Sequence, residues 1–348
     1  MALKKMISFA MCLSLILLAF ASCKEKEPAV QAKSYYEYFD TVSTVLSYKG
    51  DTDAEFKANC DEVAKLLGDY HKLLDIYYEY SGINNLKTIN KNAGIAPVEV
   101  DDRLIDFLIY SKSMYTLTNG KTNIAMGSVL KLWHDCRDDA STTPASAKIP
   151  SQEELEDAAL HCDISNLIID TESNTVYISD PKMQLDVGAI GKGYATERAA
   201  ELLMDKGVSS YVLNIGGNIR AIGTKPSGDG WETGITHPNK SSDERFITKV
   251  NIKNTSLVTS GDYERFYTVE SVKYHHIIDP STLMPAAYFS SVSIFTTDGG
   301  LADALSTALF CMSYEDGLAL VSSLDGVEVI WVDKDYKIKS TPGVKMFA

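Results

Sequence analysis

The chain reads as an α+β fold, with mixed or antiparallel sheets and flanking helices. Three observations point there: two helical runs come early, strand-like runs outnumber helices later, and no strict β-α alternation joins them. With 348 residues, 45% apolar and 23% charged, the composition is that of a globular protein long enough for one large core or two modest lobes.

The elements follow in order. "MALKK" supplies a short positive region, "MISFAMCLSLILLAF" an apolar stretch too short for a membrane span, and "ASC" a small-residue cleavage site ending in Cys23. Residues 1–22 are thus read as a signal peptide. Small residues followed directly by cysteine resemble a bacterial lipobox, which would make Cys23 the lipid-bearing first residue of an exported lipoprotein. That places the protein on the outer face of the cell membrane, or on its periplasmic side. Residues 23–34, charged and carrying a proline, read as a tether, and residues 35–348 as a single domain.

Residues 38–48, "YFDTVSTVLSY", alternate and are β-branched, so they read as a strand. Residues 53–75 place Phe56, Val63, Leu66, Leu67, Tyr70 and Leu74 at helical spacing. A second helix opens at the acidic cap candidates of "VDDRLIDFLIYSKSMYTLTNG" and ends at Asn-Gly. The polar, proline-punctuated residues 134–151 read as a long surface loop or lobe boundary. Strands are expected at "NLIID" and "TVYIS", and then a helix ending near Lys206-Gly207. Mostly extended runs continue to "VKYHHIIDP", and a helix closes the series at 300–312.

Charge and cysteine usage exclude some functions. Lys and Arg number 33 against 47 Asp and Glu, a formal charge of -14, with no basic block beyond the extreme N-terminus. Nucleic acid is therefore excluded as a partner, since phosphate backbones need clustered positive charge. Cys60, Cys136, Cys162 and Cys311 form no C-x-x-C pair, so no structural zinc site is implied, and their redox state stays open.

Three stretches carry chemistry. In "DVGAIGKGYATERAAELL" (186–203), Gly188, Gly191 and Gly193 crowd beside Lys192 where a helix opens. Exposed amides at a helix start attract phosphate, although the order is neither a dinucleotide-binding G-x-G-x-x-G nor a P-loop. Asp186 could accept from a ribose or base, and Lys192 could meet a phosphate. In "LADALSTALF" (301–310), Leu301, Leu305, Ala308 and Leu309 form one stripe, while Asp303 and Thr307 project together from another side. Their oxygens suit magnesium. The alternative is that Asp303 is satisfied by backbone amides or Lys192, and Thr307 by a helix carbonyl. In "KYHHIIDP" (273–280), adjacent histidines face opposite ways along a strand, so one of them can enter a site and move a proton.

In this order the stretches resemble the FAD:protein FMN transferases, the ApbE-type flavin transferases. The matching runs are "FDTVSTV", "SGINNLKTIN", "NGKTNIAMGSVLKLW", "LDVGAIGKGYATERA", "VLNIGGNIRAIG", "TSGDYERFY", "YHHIIDPSTLMPA" and "ADALSTALF", and the resemblance extends from about residue 38 to residue 330. The resemblance implies two lobes enclosing an FAD cleft. It also implies a magnesium-dependent reaction that splits FAD, transfers FMN through a phosphoester to a Thr or Ser of an exported or membrane-attached flavoprotein, and releases AMP.

Carried over residue by residue, the resemblance has Asp186 and Lys192 contact FAD. The Ala189 carbonyl, Asp303 and Thr307 would hold magnesium, and His276 would lie beside the flavin-phosphate end, making His276 and Asp303 the catalytic pair. Phe39, Tyr77 or Tyr78, Asn90, Lys121, Thr122, Asn123 and Ile277 would line the remaining cleft. The chain departs from the family pattern at Phe39-Asp40 (Met-Gly), Asn123 (Asp) and Leu283 (Gly). Two further readings are an FAD pyrophosphatase yielding FMN and AMP, and a lipid-anchored protein that only holds FAD.

Overall fold

The computed structural model describes residues 30–48 and 51–347. The signal segment, Cys23 and the first part of the tether lie outside the described residues. Strands β1 (Val30–Tyr35) and β2 (Ser43–Tyr48) come first, then α1 (Asp53–Leu73), α2 (Leu86–Lys91), β3 (Val98–Glu99), α3 (Asp102–Leu117), α4 (Gly127–Thr142) and α5 (Gln152–Ala159). Next are β4 (Leu167–Asp170), β5 (Thr175–Ile178), α6 (Gly191–Asp205), β6 (Ser210–Ile215), β7 (Asn218–Gly223), β8 (Trp231–Thr236), β9 (Phe246–Ile252), β10 (Ser256–Gly261), β11 (Phe266–Val269) and β12 (Val272–His275). The chain finishes with β13 (Ser291–Thr296), α7 (Gly299–Phe310), α8 (Tyr314–Val321), β14 (Glu328–Val332), β15 (Ile338–Ser340) and β16 (Met346–Phe347).

An antiparallel sheet in the order β1-β2-β6-β7-β10-β13-β14-β15 organises the molecule. Successive strand residues point to opposite faces, so each strand feeds two cores. Val45, Leu213, Ile215 and Ile222 face α1 and α6, meeting Val63, Leu67, Ala195 and Ala199. On that same face Val258, Val292, Ile294 and Val329 meet Ala302, Leu305 and Leu309 of α7. The opposite face, with Val212, Leu257, Phe295 and Ile330, is covered by Trp231, Ile235, Val250 and Ile252 of the small sheet β16-β9-β8. The α+β expectation is met, with every ladder between named strands antiparallel.

Several boundaries differ from expectation, each for a physical reason. Residues 30–34 of the expected tether belong to β1, whose Val30 to Tyr35 pair with Tyr48 to Ser43. The 38–48 strand begins only at Ser43, because Phe39 and Asp40 turn through the left-handed region at φ 54° and 50°. The 134–151 loop is helical as far as Thr142: Val129, Trp133, Cys136 and Ala140 are buried at spacings of four, three and four, and the helix stops before Pro144. The 53–75 helix ends at Leu73, and the expected 300–312 helix runs from Gly299 to Phe310. Cys60, Cys136, Cys162 and Cys311 are free thiols.

His275 shows how a polar ring fits into this core. It stands edge-on to Phe310, with Nε2 2.9 Å from the Ala286 carbonyl and Nδ1 accepting from the Ile277 amide. The carbonyl only accepts, so Nε2 carries the proton and the ring is neutral. Burial pushes its pKa down to about 4. A histidine depressed in the folded state adds stability above its unfolded pKa, and that stability is lost as pH falls toward the folded value. Between about pH 6.5 and 4 the loss should be on the order of 3 kcal/mol. Urea unfolding at pH 7, 5.5 and 4.5 should therefore show a shallower pH dependence for His275→Gln than for the parent; parallel curves would refute the assignment.

Candidate functional site

The strand-to-helix turn before α6 is held by its own side chains and by a neighbouring segment. The Asp186 amide donates to the Ile124 carbonyl (2.8 Å), and the Asp186 carboxylate accepts from the Gly188 amide (2.9 Å). The amides of Ile190 and Gly191 both reach back to the Val187 carbonyl. No side chain caps the helix at Ile190. A helix start whose N-cap residue supplies no side-chain acceptor, carrying the positive end of the helix dipole and flanked by Lys192, is suited to an anion.

Glycine is required where α6 meets α7. A Cβ at Gly193 would lie 2.3 Å from the Gly299 carbonyl oxygen and 2.4 Å from the Asp303 Cβ. With only hydrogen there, the Gly193 amide donates to Asp303 Oδ2 at 2.8 Å. Asp303 is buried, and burial raises its pKa against the opposing pull of the Lys192 charge and the Gly193 amide. One carboxylate oxygen thus has a backbone partner, as the alternative reading anticipated, while the residue still lines the cleft together with Thr307 and Ala189. Among the described residues no three His, Cys, Asp or Glu side chains converge. The oxygens of Asp303, Thr307 and Ala189 are instead a sparse, hard-donor set of the kind that suits a cation completing its shell with water and phosphate.

These groups open into one cleft of about 1060 Å³. Drug-sized pockets run to roughly 1,000 Å³, so a dinucleotide fits by size. Of the two adjacent histidines, His276 lines the cleft and His275 faces the core. The His276 amide donates to the Arg265 carbonyl, and its Nδ1 lies 3.1 Å from that same oxygen. Because a carbonyl cannot donate, Nδ1 holds the proton and Nε2 is the basic nitrogen. Crowding by the cleft walls, then the Arg265 charge, push the His276 pKa down to about 3, so the ring is neutral at physiological pH.

The structure brings Phe39, Tyr78, Lys121, Asn123, Asp186, Ala189, Lys192, His276, Ile277, Asp303 and Thr307 around this cleft. Tyr77 and Tyr78 are exposed aromatics at its mouth, and Asp75 fixes their backbone by accepting from both amides. Lys121 is committed to buried Asp279 (2.8 Å) and to Ser281. Asn123 donates to the Cys162 carbonyl and accepts from the Ala125 amide, so its side chain braces the wall. Two expected residues stand outside the lining. Asn90 exchanges two hydrogen bonds with the backbone of Leu185, and Thr122 is buried with its hydroxyl on the Ala304 carbonyl. Both hold segments that carry site residues.

Sequence reasoning missed His134, Arg137 and Arg265, which also line the cleft. His134 Nδ1 lies 4.0 Å from Asp186 Oδ2, and burial lowers its pKa against the opposing pull of that carboxylate. Their signal was faint. His134 and Arg137 sit on the helix read as a loop, where the i, i+3 spacing that puts them on one face goes unnoticed.

Comparison with known proteins bears on the family and the fold. The pattern of the ApbE family matches residues 39–331. A FAD:protein FMN transferase of Treponema pallidum is 33% identical over 319 residues, covering 87% of this chain and 85% of its own. One from Haemophilus influenzae is 24% identical over 349 residues, covering 99% and 98%. Among solved structures, the ApbE protein of Thermotoga maritima has a TM-score of 0.78 at 27% identity, covering 90% of this chain and 97% of its own. The flavin transferase ApbE of Vibrio cholerae, at 24% identity and a TM-score of 0.72, shares the fold. Matched along most of its length in sequence and in architecture, the chain belongs to the ApbE family.

Proposed function

We propose that the protein is a magnesium-dependent FAD:protein FMN transferase that moves FMN from FAD to a Thr or Ser hydroxyl of an exported flavoprotein and releases AMP. The observation that carries this reading is the meeting, in one cleft, of the positive end of α6 with Lys192, a buried carboxylate beside a hydroxyl, and a neutral histidine whose Nε2 is the basic nitrogen. The names of the Treponema and Haemophilus relatives support it.

The positive end of the α6 dipole and the Lys192 ammonium hold the pyrophosphate, and Phe39, Tyr77 and Tyr78 offer ring faces to the flavin or adenine. Asp303, Thr307 and the Ala189 carbonyl would hold magnesium. When bound there, the ion neutralises phosphate oxygens and eases departure of AMP. His276 Nε2 takes the proton of the acceptor hydroxyl as that oxygen bonds the FMN phosphorus in line; the phosphorus–oxygen bond to AMP breaks, and AMP leaves with the electron pair. Phosphate charge beside the ring raises its basicity at the moment it is needed. The signal segment and Cys23 fit an exported, lipid-anchored enzyme acting at the membrane surface.

AMP release from FAD by residues 24–348, measured with and without a flavoprotein carrying an acceptor threonine, tests the reading. Release that depends on acceptor, together with flavin bound covalently to it, is expected; equal release without acceptor would mean a pyrophosphatase, and none at all a binding protein. Asp303→Ala should lower the rate at least about a hundredfold, and full activity in that variant would sink the metal assignment. Because His276 is neutral in the free enzyme, kcat/KM should stay level from pH 7.5 to 5.5 rather than fall with an ordinary histidine near 6.5. A tenfold drop across that window would contradict the neutral state of His276 described above.

A further inference from the structure

Behind the cleft lies a buried ion pair that the chemistry above does not use. Arg220 on β7 and Glu197 on α6 meet at 2.9 Å, with only 3% and 5% of their side chains exposed. Glu197 Oε2 also accepts from the amide of Gly299, the first residue of α7 (2.8 Å), and from the Ser256 hydroxyl on β10 (3.4 Å). Ser256 and Arg220 are direct cross-strand partners, so both address the same face of the sheet. The Arg220 guanidinium is further tied through Nη1 to the Ala221 carbonyl and the Asn254 side chain.

The pair is thus a junction between two helices and two central strands. A fully buried ion pair is a weak source of stability, because desolvation consumes most of the attraction and apolar residues of similar volume often serve as well. What apolar residues cannot supply is a directed acceptor for the Gly299 amide. That amide lies one helical turn before Asp303, and Gly299 itself abuts Gly193, where a Cβ on Gly299 would come within 2.9 Å of the Gly193 carbonyl oxygen. The axial position of α7 against α6 therefore depends on Glu197, and the Gly193-to-Asp303 bond depends on that axial position.

We infer that Glu197, held by Arg220, is a positioning residue: it sets α7 against α6 so that the Asp303 and Thr307 oxygens stand in register with the Ala189 carbonyl. The inference rests on the proposed metal role of those oxygens. The pair contributes geometry to the site and touches neither substrate nor metal.

The test separates position from fold. In the double variant Glu197→Met with Arg220→Met, both charges go together, so no uncompensated charge is left buried and the chain should still melt cooperatively. Mn2+ titration, followed by the electron paramagnetic resonance of the free ion, should show affinity weakened about tenfold or more. FAD binding without divalent cation, followed by flavin fluorescence, should stay within about twofold. Unchanged Mn2+ affinity in the folded double variant would overturn the inference. Should that variant fail to fold, Gly299→Ala probes the same spacing with the ion pair intact, its added methyl also 3.3 Å from Glu197 Oε2, and parent-like Mn2+ affinity there would overturn it equally. A parent protein that binds no Mn2+ would instead defeat the metal reading itself, an outcome distinguishable from the failure of Glu197 alone.

Discussion

The contact on which the site depends is the approach of two helices at a pair of glycines. Close packing ordinarily keeps helix axes 8–10 Å apart, a separation set by the side chains between them. At Gly193 and Gly299 there are none, and backbone meets backbone. That intimacy lets the Gly193 amide hold an Asp303 oxygen directly, so the start of α6 and the carboxylate of α7 become one unit. A larger residue at Gly193 would push the start of α6 away from the Asp303 carboxylate.

Electrostatics follows from that geometry. The chain as a whole carries a formal charge of -14, which repels a dianionic substrate at long range. Lys192, Arg137 and Arg265 line the cleft beside the positive end of α6, among the carboxylates of Asp40, Asp75, Asp186, Glu264 and Asp303, so positive and negative groups alternate along its wall. Screening over about 8–10 Å at physiological salt leaves the local field in charge of binding. Lys121 adds little to it, since its charge is spent on buried Asp279.

What could be read in the sequence tracked how local the signal was. Helices with long apolar periodicity and the β-branched strands were legible, as were the glycine turn and the Asp303–Thr307 spacing, because each is written within about ten consecutive residues. Asn90 and Thr122 were harder: their partners are Leu185 and Ala304, 95 and 182 residues away, and no periodicity reports such a bond. The stretch from His134 to Thr142 was hidden differently. Its polar residues and the coming proline resemble a loop, while the buried Trp133, Cys136 and Ala140 that make it helical are too sparse to outweigh them. Arg265 has no periodic signature, since it sits in the turn between β10 and β11, where its carbonyl holds His276 and its charge lies at the cleft.

The departures from the family pattern are backbone matters as much as chemical ones. Leu283 stands where the family has glycine, and it keeps the left-handed conformation glycine would take, at φ 61°. That costs a residue with a Cβ about 1–2 kcal/mol. The surroundings offset it: the Leu283 carbonyl accepts from Trp133 Nε1 at 3.0 Å, and its side chain packs with the cluster of Trp133, Tyr267 and Ile278. Burying part of a leucine returns a similar amount. Phe39 stands in place of Met rather than Gly, with a left-handed φ of 54° and a ring set edge-on to His71 at the cleft. At Leu283 the packing of an apolar side chain thus offsets the backbone cost that glycine would avoid, whereas in the Phe39-Asp40 turn the residue at the glycine position is Asp40, whose left-handed φ of 50° is carried by an exposed side chain.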